Sequence, residues 1–352
     1  MSLFFLLIIP VLIGLGGLVL GRGRITLKEL LVQELIMVVL IAIAFFSSAY
    51  LKSRDKEIWN GVIVSKEKTT TPDCHTYPCN CRQICSGSGE SRSCYTHCDT
   101  CNLHPYDIKW TAKTSNDEVA YINNCNPPGT SEPKRFSDIV IGEPTAIEHS
   151  YTNYLKGNQD TILKRFVPDK KFDIPEYPEV YDWYRVKRFI GIGVDDNRFD
   201  EYDNKLDKIN AEFGSAKQVN ISVFVVKESD QFYFEKLREE WLGGKKNDFI
   251  VVVGTPEYPK ISWAQVLSWS DSEDAKVFVK NRILALGEFD GDKVLKIVEE
   301  EVRDKYIRKE MKDFEYLKFR IEPSATVKIV ILILSIATSI GLSIYFKNEE
   351  VL

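Results

Sequence analysis

The chain has 352 residues, and its 46 Lys and Arg against 51 Asp and Glu give a net charge of −5. The lack of a positive surplus argues against a nucleic-acid-binding protein, and 12% aromatic residues argue against an intrinsically disordered chain. Its 20 Gly and 14 Pro are too few for a collagen-like or low-complexity protein.

The N-terminal region contains two long apolar segments. Residues 3–20 and 35–51 carry no charge, and the apolar character of the second segment begins at Leu30. Because about 20 helical residues cross a bilayer core of about 30 Å, the sequence predicts a transmembrane hairpin, residues 1–54, with spans at 3–20 and 30–51. The alternatives are a buried core helix or, for the first segment, a cleaved signal peptide or a helix lying flat on the membrane. The N-terminus lacks the basic residues that begin a signal peptide.

Residues 55–167 contain all the cysteines of the chain. These are Cys74, Cys79, Cys81, Cys85, Cys94, Cys98, Cys101 and Cys125, with His75, His97 and His104 interleaved. The even number and dense spacing predict an irregular module that is cross-linked by disulfides in an oxidising compartment, without selecting one pairing. The alternative is a cytosolic module with structural Zn, for which Cys98-x2-Cys101-x2-His104 has suitable spacing if the thiols stay reduced.

Residues 168–193 are rich in proline and aromatic residues. Proline disfavours helix in the residue before it and favours extended backbone. The composition therefore predicts an extended strap that packs on a neighbouring domain.

Residues 194–315 alternate between helical and strand patterns. Helices are predicted at 197–213, 232–242, 273–286 and 292–311, and strands at 219–226, 249–253 and 261–269. The alternation predicts an α/β domain, namely a small doubly wound sheet with helices on both faces.

Residues 316–352 contain a third apolar segment, 329–346, which predicts a C-terminal transmembrane helix and a short tail. Three spans place the central part on the side opposite the loop between the first two spans. That loop is basic and therefore predicted to be cytoplasmic, through Arg22, Arg24 and Lys28. Basic residues also flank the second span on the side of the central part, and they favour the opposite orientation. These are Lys52, Arg54 and Lys56.

The α/β segment resembles the TPM domain family over residues 194–311. The similarity lies in Val194-Asp195-Asp196, the strand VNISVFVV, and the turn Trp241-Leu242-Gly243-Gly244 with Asn247-Asp248 before an apolar strand. The resemblance implies an α/β/α fold outside a bacterial or thylakoid membrane, in a family that includes phosphatases and assembly or repair factors. Trp269-Ser270-Asp271 stands where the family typically has a glycine-bearing turn, which disfavours phosphatase activity.

The overall plan also resembles membrane proteins of large tailed bacteriophages. The shared features are an N-terminal hairpin, a Cys/His cluster that follows Trp59-Asn60-Gly61, a TPM-like domain and a last span. This similarity implies no particular function.

Three aspartates form a predicted site for a divalent cation, Ca²⁺ or Mg²⁺. Asp195 and Asp196 approach a helix, and Asp271 follows the third predicted strand. Hard cations take carboxylate oxygens, and ligands of open α/β sheets bind at the carboxyl ends of the strands. This site would support a metal-dependent phosphatase or hydrolase, whereas the simpler interpretation of Asp195 and Asp196 is helix capping.

No recognised catalytic motif occurs in the sequence, which contains no GxSxG, HExxH or Walker pattern. We therefore expect a non-enzymatic interaction or assembly protein without catalytic residues. Its soluble part is predicted to lie outside the cytoplasm, held to the membrane by three spans, and to bind an envelope or membrane protein rather than nucleic acid.

Overall fold

The computed structural model describes residues 3–20, 25–87, 92–116, 119–121, 131–158 and 171–348. Cys125 lies outside these residues. The chain divides into two compact units. The first comprises residues 1–56, 150–166 and 309–352, and the second comprises residues 57–149 and 167–308.

The described helices and strands follow one another along both units. The helices are α1 Leu3–Leu20, α2 Leu27–Ser53, α3 Lys134–Asp138, α4 Tyr154–Gly157, α5 Phe199–Lys217, α6 Phe232–Glu240, α7 Glu273–Leu286, α8 Gly291–Lys305 and α9 Ala325–Asn348, with a 3₁₀ helix at Met311–Arg320. The strands are β1 Arg54–Thr71, β2 Thr76–Ser86, β3 Ser93–Asn102, β4 Asp107–Thr114, β5 Val119–Tyr121, β6 Pro144–Thr152, β7 Phe189–Ile192, β8 Asn220–Val226, β9 Asp248–Gly254 and β10 Trp263–Ser268.

Helices α1, α2 and α9 of the first unit are long and apolar enough to cross a membrane, which confirms the three predicted candidate spans. Helix α2 begins earlier than its apolar segment because Thr26 and Glu29 form a capping box. The Thr26 hydroxyl accepts the Glu29 N–H at 3.2 Å, and the Glu29 carboxylate accepts the Thr26 N–H at 2.7 Å.

Polar side chains join the three long helices to one another. The Gln33 amide donates to the Ser339 hydroxyl at 3.0 Å, and the Ser343 hydroxyl donates to Gln33 at 3.1 Å. The Ser339 hydroxyl reaches the carbonyl of Pro10 at 3.5 Å. Apolar surroundings favour such links, since these groups have no water to bind there.

The segment predicted as an irregular cysteine module is instead built from β-strands. Strands β5, β4, β1 and β6 form a four-stranded sheet in that order, and β2 pairs with β3 in a separate two-stranded ribbon. Strand β1 runs antiparallel to β4 from Ile63↔Thr114 to Thr71↔Asp107. Ile63 and Trp110 are buried in a small core with Phe136. The prediction failed because these strands alternate too little between apolar and polar residues.

The second sheet has the order β10-β9-β8-β7. Strands β7, β8 and β9 are parallel, whereas β10 is antiparallel to β9. Every residue of β8 and β9 is buried, because α5, α7 and α8 cover one face and α6 covers the other. A mixed α/β domain with helices on both faces of the sheet is therefore present, as predicted, whereas its strands follow chain order without the reversal of a doubly wound sheet.

The strap, of which residues 171–188 are described, packs against α6 and β9. The Tyr177 hydroxyl donates to the Asp248 carboxylate at 2.9 Å, and the Trp241 indole donates to the Pro175 carbonyl at 2.9 Å. Burial raises the pKa of Asp248 to about 6, although Asn220 and the Lys245 N–H also donate to its carboxylate. The first strand of the sheet, β7, falls inside the range predicted as strap.

Candidate functional site: the disulfide ribbon and its base

The ribbon formed by β2 and β3 is an exposed antiparallel pair. Its register runs from Thr76↔Asn102 to Ser86↔Ser93, with one irregularity between Cys79 and Arg82. Every residue of both strands is exposed or half-buried. A two-stranded ribbon without a buried face is at best marginally stable, so other interactions must hold it.

Three disulfides cross the ribbon along its length. They join Cys79 to Cys101, Cys81 to Cys98, and Cys85 to Cys94. Cys85 and Cys94 are opposite partners in the register, with Cα atoms 4.0 Å apart. A disulfide typically contributes about 2–4 kcal/mol, chiefly by restricting the unfolded chain. The predicted cross-linked module is thus present, and its bridges hold the two strands in register.

The ribbon and its base present large apolar and aromatic side chains to solvent. Tyr77 and Tyr95 lie on the strands and are 48% and 58% exposed. Leu103 and Tyr106, in the segment that returns to β4, are also exposed. Rigid backbone and exposed tyrosines together make a surface suited to binding a macromolecule.

Two histidines and two aspartates meet where the ribbon joins the sheet. Asp73 and His75 lie between β1 and β2, His104 lies between β3 and β4, and Asp107 is the first residue of β4. The pairing of β2 with β3 returns the chain to its starting point, so residues about 30 positions apart become neighbours. The imidazole rings of His75 and His104 are 5.6 Å apart, edge to face.

The four side chains of this base cluster approach one another through their polar atoms. His75 Nδ1 is 3.4 Å from Asp73 Oδ1 and 3.6 Å from Asp107 Oδ2, and His104 Nδ1 is 3.4 Å from Asp73 Oδ1. The Asp73 side chain is fully buried and that of Asp107 nearly so, whereas the His75 and His104 side chains are 24% and 32% exposed.

Backbone N–H groups orient both carboxylates. Asp73 accepts the N–H of His75 at 2.9 Å and the N–H of His104, and Asp107 accepts the N–H of Cys74 at 2.8 Å. Burial alone would raise the pKa of Asp73, but the N–H groups and the side chain of His104 hold that pKa well below its ordinary value. Asp73 is therefore a fixed anion within the cluster.

Cys74 lies among these groups, but its sulfur is part of a disulfide and offers no thiolate. The seven cysteines of the described residues are all disulfide-bonded. The expected alternative of a zinc site made of thiolates is thus not the arrangement found there. Cys125 lies outside the described residues.

The structure does not bring the three predicted metal-binding aspartates together. Asp195 and Asp196 follow β7 at one edge of the sheet, while Asp271 follows β10 at the opposite edge. Because β10 runs antiparallel to the other strands, its carboxyl end and the carboxyl end of β7 also lie at opposite ends of the strands. The prediction assumed three parallel strands, which would have aligned these ends.

Asp196 has protein partners for its carboxylate. It accepts the Arg198 N–H at 2.9 Å just before α5, pairs with the Arg198 guanidinium at 3.0 Å, and accepts the Tyr258 hydroxyl. The Arg198 side chain lowers the pKa of Asp196 to about 2, with help from Tyr258. Asp196 thus forms a turn just before α5, but the N-cap of that helix is Arg198, which makes no side-chain cap hydrogen bond, so the expected helix capping by Asp195 and Asp196 is not the arrangement found.

Sequence reasoning did not single out Asp73 and Asp107 as site residues. A usable signal was present, since an aspartate and a histidine lie on each side of the paired cysteines, at 73 and 75 and at 104 and 107. Pairing the first and last cysteines of the ribbon would have brought these residues together.

Comparison of the chain with family models, curated proteins and solved structures finds no match. The resemblances to the TPM family and to bacteriophage membrane proteins therefore stay predictions from the residue pattern.

Proposed function

We propose that this chain is a membrane-anchored binding protein whose disulfide ribbon is the recognition element. The observation that carries the proposal is a ribbon exposed along both strands yet crossed by three disulfides. A segment that buries so little adds almost nothing to a core. Its fixed shape is best explained by a partner that contacts it.

The ribbon's chemistry supports a protein partner. Tyr77 and Tyr95 are exposed aromatic side chains, which bind with little loss of conformational entropy. A backbone held by disulfides also avoids the ordering cost that a flexible loop meets on binding. We infer that these tyrosines anchor the contact.

The disulfides and the apolar helices together support an extracytoplasmic location. Disulfides persist in oxidising compartments, and three helices are apolar enough to hold the chain in a membrane. A tethered domain reaches other molecules near the same bilayer. The partner we propose is an envelope or membrane protein, and the α/β domain, which we take to be TPM-like from its residue pattern, is a second surface for assembly.

The recognition role can be tested by site-specific photocrosslinking in intact cells. A photoreactive phenylalanine analogue would replace Tyr95 on the ribbon and, as a control, Tyr181, which is similarly exposed at 52% but lies in the strap. We expect a discrete crosslinked species from position 95 and none from position 181. Equal adducts from both positions, or no adduct from 95, would contradict the proposal.

The proposed location has its own test. A membrane-impermeant maleimide would be applied to intact cells before and after mild reduction, because all eight cysteines lie between residues 74 and 125. Labelling should appear only after reduction. If reduction exposes no thiol to the outside reagent, the soluble part faces the cytoplasm.

A further inference from the structure

The imidazole-to-carboxylate distances in the base cluster are longer than those of strong hydrogen bonds and suit ligands of a shared metal ion. Charge-assisted N–H···O bonds are about 2.7–2.9 Å long. The three imidazole-to-carboxylate distances are 3.4, 3.6 and 3.4 Å. Tetrahedral zinc, with bonds of about 2.0–2.2 Å, places its ligand atoms about 3.3–3.6 Å apart. Asp73, His75 and Asp107 each place a ligand atom within 4.8 Å of the other two, and His104 approaches this group at Asp73 Oδ1.

We propose that Asp73, His75 and Asp107 bind one Zn²⁺ ion at the base of the ribbon and that His104 turns toward the ion to supply the fourth ligand. Two imidazoles and two carboxylates would supply four ligands, and the two carboxylates would balance the charge of the ion. This set differs from the thiolate site considered from the sequence, because it uses no cysteine and is compatible with intact disulfides.

The mixed nitrogen and oxygen donors favour zinc over the hard cations. Calcium takes six to eight oxygen ligands and magnesium keeps several waters in octahedral geometry, whereas imidazole suits zinc. The two histidine side chains remain partly exposed, so an ion has a path to the buried carboxylates.

Outer-shell contacts hold the carboxylates in place. The N–H groups of His75 and His104 donate to Asp73, and the N–H of Cys74 donates to Asp107. Hydrogen bonds of this kind orient metal ligands before the ion binds. The segment that carries His104 therefore helps to fix Asp73. Cys74, the neighbour of His75, helps to fix Asp107.

The test uses the full chain in detergent with its disulfides intact and without a polyhistidine tag. After treatment with a chelator, Zn²⁺ is titrated against a fluorescent zinc indicator, and bound zinc is counted by atomic emission. We expect one ion per chain. His75→Ala and His104→Ala should each weaken binding by at least about 100-fold, because losing a ligand costs more than losing an outer-shell partner.

The matched control is His97→Ala, since His97 is an exposed histidine on β3 that lies outside the base cluster. It should bind zinc as the unaltered chain does. Alkylation and mass spectrometry must show that each variant retains its disulfides. Absence of zinc binding, or binding unaffected by His75→Ala and His104→Ala, overturns the proposal.

A second measurement on the unaltered chain applies if a variant loses its bridges. Diethyl pyrocarbonate modifies accessible histidines, and added Zn²⁺ should protect His75 and His104 but leave His97 reactive. Protection of His97 alone, or of none of the three, likewise overturns the proposal. Mg²⁺ should give no protection, and protection by Mg²⁺ equal to that by Zn²⁺ would contradict the choice of metal.

Discussion

Replacing Gly214 by alanine sets two physical effects against each other. Gly214 lies in the last turn of α5, where the helix contacts the backbone of β1. Alanine has the higher helix propensity and would stabilise an exposed helix by about 1 kcal/mol. A Cβ atom at this position would, however, lie 1.8 Å from the Asn60 carbonyl oxygen and 2.3 Å from its carbon.

The clash is expected to outweigh the gain in propensity. Real Cβ contacts essentially never fall below 3.0 Å, and the neighbouring atoms are backbone, which cannot rotate away. Asn60 is also held by hydrogen bonds to the Val219 carbonyl, at 2.8 Å, and from the buried Arg188 guanidinium. Overpacking costs about 1–3 kcal/mol, and a clash this close belongs at the upper end. We expect Gly214→Ala to lower the free energy of unfolding by about 2 kcal/mol after the propensity gain of about 1 kcal/mol.

Thermal unfolding of the full chain in detergent, followed by tryptophan fluorescence, measures this loss. For a unit of roughly this size, about 2 kcal/mol corresponds to a fall in Tm of about 4–8 °C. The control is Ser215→Ala, an exposed neighbour in the same helix, which should change stability by less than about 0.5 kcal/mol. A Gly214→Ala protein as stable as the unaltered chain would refute the packing argument.

Two further predictions concern the strap and the membrane helices. Burial raises the pKa of Asp248 to about 6, so the folded chain keeps a proton that the unfolded chain releases. The resulting contribution to the free energy of unfolding is complete below the ordinary pKa of 3.8 and is lost as pH rises through 6. Denaturant unfolding should show that Asp248→Asn reduces the stability difference between about pH 4.5 and about pH 7 by roughly 2 kcal/mol, and an unchanged difference would contradict the assignment. Gln33→Leu should destabilise the three-helix unit by about 1 kcal/mol, because Ser339 and Ser343 lose their amide partner. Resistance to denaturing detergent measures this effect against Leu40→Ala, whose side chain is exposed, and equal losses in both variants would argue against the polar link.

The helices were predictable where their signal is local. Hydropathy alone located α1, α2 and α9, since a bilayer requires a long apolar segment whatever the neighbouring chain does. Helix α7 was predicted with the same bounds as found, Glu273–Leu286. Helix ends set by capping were less predictable, and α2 starts at Leu27 because of a side-chain contact between Thr26 and Glu29.

Elements that depend on distant partners were harder to predict. Strand β7 has only four residues and includes Gly191, so it became visible only as the neighbour of β8. The direction of β10 leaves no mark in its composition, and that direction decided where Asp271 lies. The ribbon lacks a buried face and therefore lacks alternation, because disulfides replace the apolar contacts that produce a periodic pattern.

The base cluster explains how an exposed ribbon can have a defined direction. Disulfides fix β2 to β3, but they do not fix the ribbon to the sheet that carries it. The Leu103 N–H donates to the His75 carbonyl at 2.8 Å, and the N–H of His104 donates to Asp73, so the outgoing and returning segments are bonded to each other at the base. A zinc ion shared by His75, His104 and the two aspartates would add bonds between the same segments. If the ribbon binds a partner, its reach and angle are then set at this base, and removing zinc should lower the crosslinking yield from position 95 while leaving the disulfides intact.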